Sequence, residues 1–202
     1  MAEAYFQNLF TSTNPTNLEL VLDSVDRVVT PDMNHTLLQP YTPEEVKRAL
    51  FQMHPSKSPR PDGMSPSFFQ KYWHIVGRDV TIAVLYVLQS GHFLQKMNYT
   101  HIVLIPKNNE PRSVLDYRPI SLGNVVSRIV SKVLANRLKL ILPNVISDSQ
   151  SAFVPNWLTT DNTTVAFEVL HRMRNKRTGK KGQMAIKLDI SKAYDQVEWA
   201  FL

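Results

Sequence analysis

An apolar run that stops on a carboxylate and turns at once into a helical pattern is the tightest constraint in this sequence. It reads Met184-Ala-Ile-Lys-Leu-Asp189, then Ile190-Ser-Lys-Ala-Tyr194. The run predicts a strand over Met184–Asp189, and Ser191 opens a helix. Asp189 then stands at the end of a strand, at a sheet edge. A hard cation such as Mg²⁺ takes carboxylate oxygens there, together with phosphate oxygens of a substrate. Capping of the following helix is the other use of such an aspartate, and the commoner one. Both readings stand on the residues alone.

Composition narrows the class. With 43% hydrophobic and 20% charged residues in 202, the chain has a globular balance for one domain or one and a half, which excludes disorder throughout. A net charge of +6 permits a polyanionic partner and equally a lysine-rich surface. The absence of cysteine excludes disulfides, thiolate zinc sites and cysteine nucleophiles. No apolar run approaches the roughly 18 residues that span a membrane, and the N-terminus lacks the pattern of a secretory signal. The expectation is an intracellular, soluble chain with no membrane partner, in the nucleus or the cytoplasm.

The chain contains no internal repeat. Residues 1–10 predict a short helix with Tyr5, Phe6, Leu9 and Phe10 on one face. Residues 11–40 read as a loosely packed lead-in. Thr42, Pro43 and Glu45 then form a capping box at a helix start, with Val46, Leu50 and Met53 as its apolar stripe. Pro55 to Gly63 is a proline-rich loop. Ser65-Pro66 opens a helix that carries Phe68, Phe69, Tyr72, Trp73, Val76, Val80, Val84 and Leu88, with Gly91 just beyond it. Ile102–Pro106 predicts a buried strand, and a second short strand falls near Ser113–Leu115. Helices follow over about Val125–Leu142, ended by Pro143, and about Thr163–Arg174. The fold class is α+β, helix-dominated with few strands.

Lys187-Leu-Asp-Ile-Ser-Lys-Ala-Tyr-Asp195 resembles motif A of reverse transcriptases from LINE-type (non-LTR) retrotransposons, in a plant-like form. The resemblance implies that Asp189 holds both catalytic Mg²⁺ ions, that Ile190 offers its backbone carbonyl to one of them, and that Tyr194 packs under the sugar of the incoming nucleotide. Asp195 and Glu198 lie in the helix and read as surface or helix-stabilising carboxylates. Thr100-His-Ile-Val-Leu-Ile-Pro-Lys107, followed by Asp116-Tyr-Arg-Pro-Ile-Ser-Leu122, resembles the fingers hairpin of the same family. A triphosphate needs several cations at positions fixed by strands. Lys107 and Arg118 match the family's basic positions, and Arg112 between them is the weaker candidate.

Lys57-Ser-Pro-Arg-Pro-Asp-Gly63 resembles the family's template- or primer-contacting loop, which makes Lys57 and Arg60 candidate strand contacts. Arg60 stands where the family has glycine. Ile146-Ser-Asp-Ser-Gln-Ser-Ala-Phe153 matches the element near the templating base, which implies Gln150 and Ser151 as template contacts. Asn156-Trp157 replaces the family's Gly-Arg. The cations Arg128, Lys132, Arg137 and Lys139 on the helix after the hairpin line the nucleic-acid cleft or form a solvated face. The aromatics Phe68 to Trp73 stack on bases or, more in keeping with their helical spacing, pack in the core.

The resemblance implies the helix-rich fingers and partial palm of a right-hand polymerase over residues 41–202, after a lead-in over residues 1–40. Its partners would be an RNA template, a DNA primer and dNTP, with two Mg²⁺ ions as cofactors; the sequence leaves the oligomeric state open. Two-metal chemistry needs carboxylates on both sides of the ions. The sequence contains no adjacent pair of aspartates, so the expectation is a chain that ends after motif A and does not polymerise alone. It would also leave an apolar strand edge exposed. A non-catalytic nucleic-acid-binding module and a decayed remnant remain the competing readings.

Overall fold

The computed structural model describes residues 2–56, 63–147, 150, 158–176, 184–186, 188, 197–198 and 200–201. In chain order they form helices α1 (Ala2–Phe10), α2 (Leu18–Leu22), α3 (Pro31–Leu37), α4 (Pro43–Phe51), α5 (Pro66–Lys71), α6 (Trp73–Ser90) and α7 (Gln95–Asn98). Strand β1 (Thr100–Pro106), a 3₁₀ turn (Val114–Asp116), strand β2 (Tyr117–Gly123), and helices α8 (Val125–Val145) and α9 (Thr159–Asn175) follow. The chain divides into two compact units, Val29–Val145 and the pair of segments Met1–Val28 with Ile146–Leu202.

The first unit is built on α4. Thr42 Oγ1 accepts from Glu45 N at 3.3 Å and Glu45 Oε2 accepts from Thr42 N at 2.9 Å, so the predicted capping box forms. The helix it starts buries Val46, Ala49 and Leu50 completely. These side chains meet Val80, Val84 and Val87 of α6 and Val125, Ile129, Val130 and Val133 of α8 in one cluster, with Phe69 of α5 at its side. Leu50, Ile129, Val46, Val84, Val125 and Val133 are its largest fully buried members. Burying a side chain of this kind contributes about 1.5–3 kcal/mol, so this helical cluster carries the unit's stability.

The aromatic run of Phe68 to Trp73 packs as core rather than as a stacking platform. Phe69 is buried, and Phe68 and Trp73 lie against the cluster. The single helix expected from Ser65 onward is two. Tyr72, at φ −101° and ψ 22°, leaves the helical path for one residue, which separates α5 from α6. Within α5, Gln70 Nε2 donates to Leu50 O at 3.0 Å and Met53 O at 2.9 Å, docking α5 on the carbonyl end of α4. Gly91, at φ +68°, caps α6 in the left-handed conformation and donates to Val87 O.

β1 and β2 pair antiparallel, with Ile105 opposite Arg118 and Val103 opposite Ile120. Two of the strand expectations need correction. β1 is not buried: Ile102, Val103 and Ile105 are 43–48% exposed, because a hairpin of two strands covers neither of its own faces. The second strand does not lie at Ser113–Leu115. That stretch turns, because Asp116 Oδ2 accepts from Arg112 N, Ser113 N and Ser113 Oγ at 2.9, 2.8 and 3.2 Å, and β2 begins only at Tyr117.

The lead-in is more ordered than expected. Thr30 Oγ1 accepts from Met33 N and Pro31 occupies the first helical position, so α3 starts with the same chemistry as α4. α8 runs to Val145, with Pro143 inside its last turn, where a missing N–H removes one bond.

In the second unit, α1 forms as expected and α9 starts at Thr159, about four residues early. Asp161 Oδ2 accepts from Leu158 N at 2.8 Å and fixes that start. Residues 184–186 and 188 of the expected final strand have no regular structure, and Met184, Ile186 and Leu188 are largely exposed. Among the described residues no helix is long and apolar enough to cross a membrane.

Candidate functional site

The hairpin brings two of its three candidate cations together. Strand alternation puts Arg118 on the same face as Ile105, its partner across the ladder, and as position 107, two residues along β1. Lys107 N donates to Asp116 O at 2.7 Å, so the ladder continues one step past β1 and holds Lys107 in that register. Arg118 is exposed and, among the described residues, forms no ion pair. Lys107 is exposed as well, and its Nζ donates to Leu115 O at 2.6 Å, tying it back to the turn with donors to spare.

Arg112 sits apart from them in the turn. Its guanidinium is 3.7 Å from Glu110 Oε2, with both side chains more than four-fifths exposed, a pair that contributes little. Asp116 is the anchor of the turn. The backbone amides of Ser113 and Arg112 hold its carboxyl below the ordinary aspartate range. The hairpin therefore presents three cations against two carboxylates, with Asp116 committed to the backbone.

The remaining predicted contacts divide. Gln150 is exposed, and its N donates to Ser147 O at 2.8 Å; it belongs to the second unit. Lys57, Arg60, Ser151, Asp189, Ile190 and Tyr194 lie outside the described residues. Among the described residues no group of three or more His, Asp or Glu side chains is arranged to hold a metal ion. Glu198 accepts from Ser12 Oγ at 2.6 Å, Thr13 Oγ1 at 2.8 Å and Thr13 N at 3.2 Å. Those bonds, the one from Ser12 foremost, lower its pKa and tie it to the segment after α1; Glu198 itself has no regular structure and does not lie in the helix expected there.

The four cations of α8 do not act as one face. Arg137 is buried at 7% exposure, and it belongs to the scaffold rather than to a cleft. Its fork meets Glu45 at 2.7 and 2.8 Å and donates to the carbonyls of Leu37, Gln39 and Pro40. Lys139 is exposed. Arg128 and Lys132, half-buried, line a groove of about 420 Å³ with Gln52, His54 and Ser131. Sequence reasoning missed Gln52 and His54, which stand beyond the last turn of α4 and fall beside α8 only through tertiary packing.

Comparison with known proteins places the sequence in a family. The sequence profile of the reverse transcriptase (RNA-dependent DNA polymerase) family matches residues 105–202, which include the hairpin cations Lys107, Arg112 and Arg118, then Gln150 and Asp189. The transposon TX1 uncharacterized 149 kDa protein of Xenopus laevis is 32% identical over 203 residues, covering 100% of this chain and 15% of that protein. The retrovirus-related Pol polyprotein from type-2 retrotransposable element R2DM of Drosophila melanogaster is 28% identical over 72% of the chain and 13% of its own length. The corresponding polyprotein from the type-1 retrotransposable element R2 of Nasonia vitripennis is 26% identical over 68% of the chain, again 13% of its length. The chain thus spans about one seventh of the relatives it matches. Residues 105–202 belong to the reverse transcriptase family, and the chain as a whole groups with the proteins of non-LTR retrotransposons.

Proposed function

We propose that this chain supplies the triphosphate grip and one metal-holding aspartate of an RNA-directed DNA polymerase, as the fingers and the start of the palm of a right-hand fold over residues 41–202. The observation that carries the reading is the shared face of Lys107 and Arg118, eleven positions apart in sequence and fixed by one antiparallel ladder. Two cations so placed meet the non-bridging oxygens of a triphosphate and hold it still while bonds change. The primer 3′-hydroxyl attacks the α-phosphorus. A new P–O bond forms as the bond to the β-phosphate breaks, the hydroxyl proton passes to solvent, and pyrophosphate leaves with the electron pair. Mg²⁺ ions, when bound, neutralise charge on the attacking and leaving oxygens. Asp189 and the carbonyl of Ile190 would hold them, and Tyr194 would pack under the sugar. Lys57, Arg60, Gln150 and Ser151 would contact the template or primer strand. Arg112, paired with Glu110 in the turn, has the smaller part.

The 202 residues hold no adjacent pair of aspartates, so the far-side carboxylates of the two-metal arrangement are not among them. The polypeptide tested alone therefore binds nucleotide without extending a primer. Binding of a fluorescent dNTP in the presence of Mg²⁺ tests the grip. Lys107→Gln with Arg118→Gln should weaken it at least tenfold, and an unchanged affinity would sink the reading. Primer extension by the wild-type chain that Asp189→Ala abolishes would overturn the statement that it is inactive alone. The net charge of +6 favours a second reading, a binding module without catalysis. Salt-dependent RNA binding with no dNTP binding would select it.

A further inference from the structure

We infer that the outward face of α6 pairs with the same face of a second copy of this chain, the two helices running antiparallel about a two-fold axis level with positions 77 and 78. The inference goes beyond the polymerase reading and does not rest on it. Its residues belong neither to the hairpin nor to α8.

α6 has two apolar faces. Gly77, Val80, Val84 and Val87 are buried on the first, which meets α4 and α8. The second carries Tyr72, just before the helix, then Ile75, Asp79, Ile82 and Tyr86, at alternating intervals of three and four residues. That is the heptad spacing of a seam that receives another helix. All five are exposed, Ile75 at 65% and Ile82 at 57%. Beside the seam, Ile82, Ala83 and Tyr86 with Leu94 and Met97 line a groove of about 300 Å³, where Asp79 is the one charged residue among the described ones. Side chains that project from a second helix need such a groove to enter. Exposed apolar side chains scattered singly are ordinary, but a row of them at this period, beside a groove, marks an interaction surface.

Charge selects the occupant. Arg78 and Asp79 are both exposed, and among the described residues neither forms an ion pair. A helix seated on the seam must bring a cation to Asp79 and apolar side chains to Ile82 and Tyr86. α6 itself carries that set in the right order, since Arg78 follows Ile75 by three positions and Tyr72 by six. Turned end for end, the second copy sets its Arg78 beside Asp79, its Ile75 against Ile82, and its Tyr72 toward Tyr86 and the groove. Two-fold symmetry makes each of these contacts twice. The two Arg78 and two Asp79 then form a quartet of zero net charge at the centre. A parallel pair in register would instead stack Asp79 on Asp79, so the polar seam position fixes the orientation. A helix of 18 residues is about 27 Å long and offers less area than the roughly 800 Å² per partner of a standard interface. The pair is therefore a weak one, with a dissociation constant on the order of 10 µM.

Sedimentation velocity of the 202-residue chain between about 1 and 200 µM reads the equilibrium between monomer and dimer. Ile82→Glu, at an exposed position away from the core stripe, should weaken association at least about tenfold with an unchanged urea midpoint. Asp79→Arg leaves four cations at the centre and Arg78→Asp four carboxylates, so each variant alone should be monomeric. An equimolar mixture of the two should regain the dimer, because every cation then faces a carboxylate of the other chain. The chain has no cysteine, which makes single-cysteine variants clean reporters of orientation. Ile75→Cys mixed with Ile82→Cys should form an intermolecular disulfide under mild oxidation, and neither should do so alone. A wild-type chain that stays monomeric at the highest concentration, association that survives Ile82→Glu, or charge variants that do not recover on mixing would each overturn the interface. Ready self-linking of Ile75→Cys alone would overturn the antiparallel arrangement.

Discussion

Arg137 and Glu45 lie 92 positions apart in sequence and meet through two parallel hydrogen bonds, Nε to Oε1 at 2.7 Å and Nη2 to Oε2 at 2.8 Å. The same carboxylate closes the capping box of α4, so one side chain starts that helix and also ties it to α8. The guanidinium stacks 3.9 Å over the ring of Tyr41 and holds the carbonyls of Leu37, Gln39 and Pro40. α3, the link into α4, and α8 are thereby fixed around one arginine.

Arg137→Met should cost about 2–4 kcal/mol, because it strands a partly buried carboxylate and three carbonyls at once. Arg137→Lys should recover only a minor part, since an ammonium cannot reproduce the fork. Urea unfolding of the three proteins measures both. A methionine variant within 0.5 kcal/mol of wild type, by an equally rough standard, would show that the joint is dispensable.

The joint also sets an acid limit. The hydrogen bond from Arg137 is the foremost cause that lowers the pKa of Glu45, with the Thr42 amide adding to it against the opposing effect of burial. A carboxyl depressed in the folded state binds its proton more readily when unfolded. Its contribution is therefore complete above the ordinary glutamate value of about 4.3 and is lost as pH falls through the lower folded value. Stability should fall with acid below about pH 4.5, and Arg137→Met should flatten that fall. Unfolding free energy measured from pH 6 to 3 checks the difference, and parallel curves for the two proteins would refute the assignment.

These contacts mark how far the sequence could be read. Thr42, Pro43 and Glu45 announced α4 because capping chemistry is local, and Val46 and Leu50 announced its buried face because period carries that information. The same Thr-Pro start at Thr30-Pro31 was overlooked within a polar lead-in. Arg137 reads as a cleft cation or as part of a solvated face, since nothing within its own helix reveals a carboxylate 92 positions upstream. The exposure of β1 was invisible for a similar reason: Val103 and Ile105 look like core until the number of strands beside them is known. The family resemblance, not spacing, singles out Lys107 and Arg118; their shared face depends on the register of β1 with β2, which a strand at Ser113–Leu115 would not give.

The turn between the strands gives a prediction independent of any ligand. Asp116 Oδ2 gathers the amides of Arg112 and Ser113. Asp116→Ala should leave the helical core intact while the amide protons of Arg112 and Ser113 exchange markedly faster with solvent. Hydrogen exchange read by NMR follows both. Retained protection at those two amides would show that the 3₁₀ turn holds without the carboxylate. If the turn also positions Lys107 through its bond to Leu115 O, dNTP affinity should drop in the same variant.

Gly77 poses a contest between two effects of similar size. It sits inside α6, where alanine is the better helix former by about 0.8–1 kcal/mol, so propensity alone predicts that Gly77→Ala stabilises. A Cβ built there would stand 2.7 Å from Cε2 and 2.8 Å from Cδ2 of Trp73, one turn earlier on the same helix. The indole cannot yield freely, because it packs against the core and meets the ring of Phe51 edge-on at 6.3 Å. Displacing a packed ring costs about 1–3 kcal/mol, which exceeds the gain in propensity. Gly77→Ala should therefore destabilise by about 1 kcal/mol or somewhat more. With Trp73→Leu already in place the obstacle is gone, and the same substitution should turn neutral or stabilising. A double-mutant cycle in urea reads the coupling directly; additive effects of the two changes would mean that the indole does not lie over Gly77.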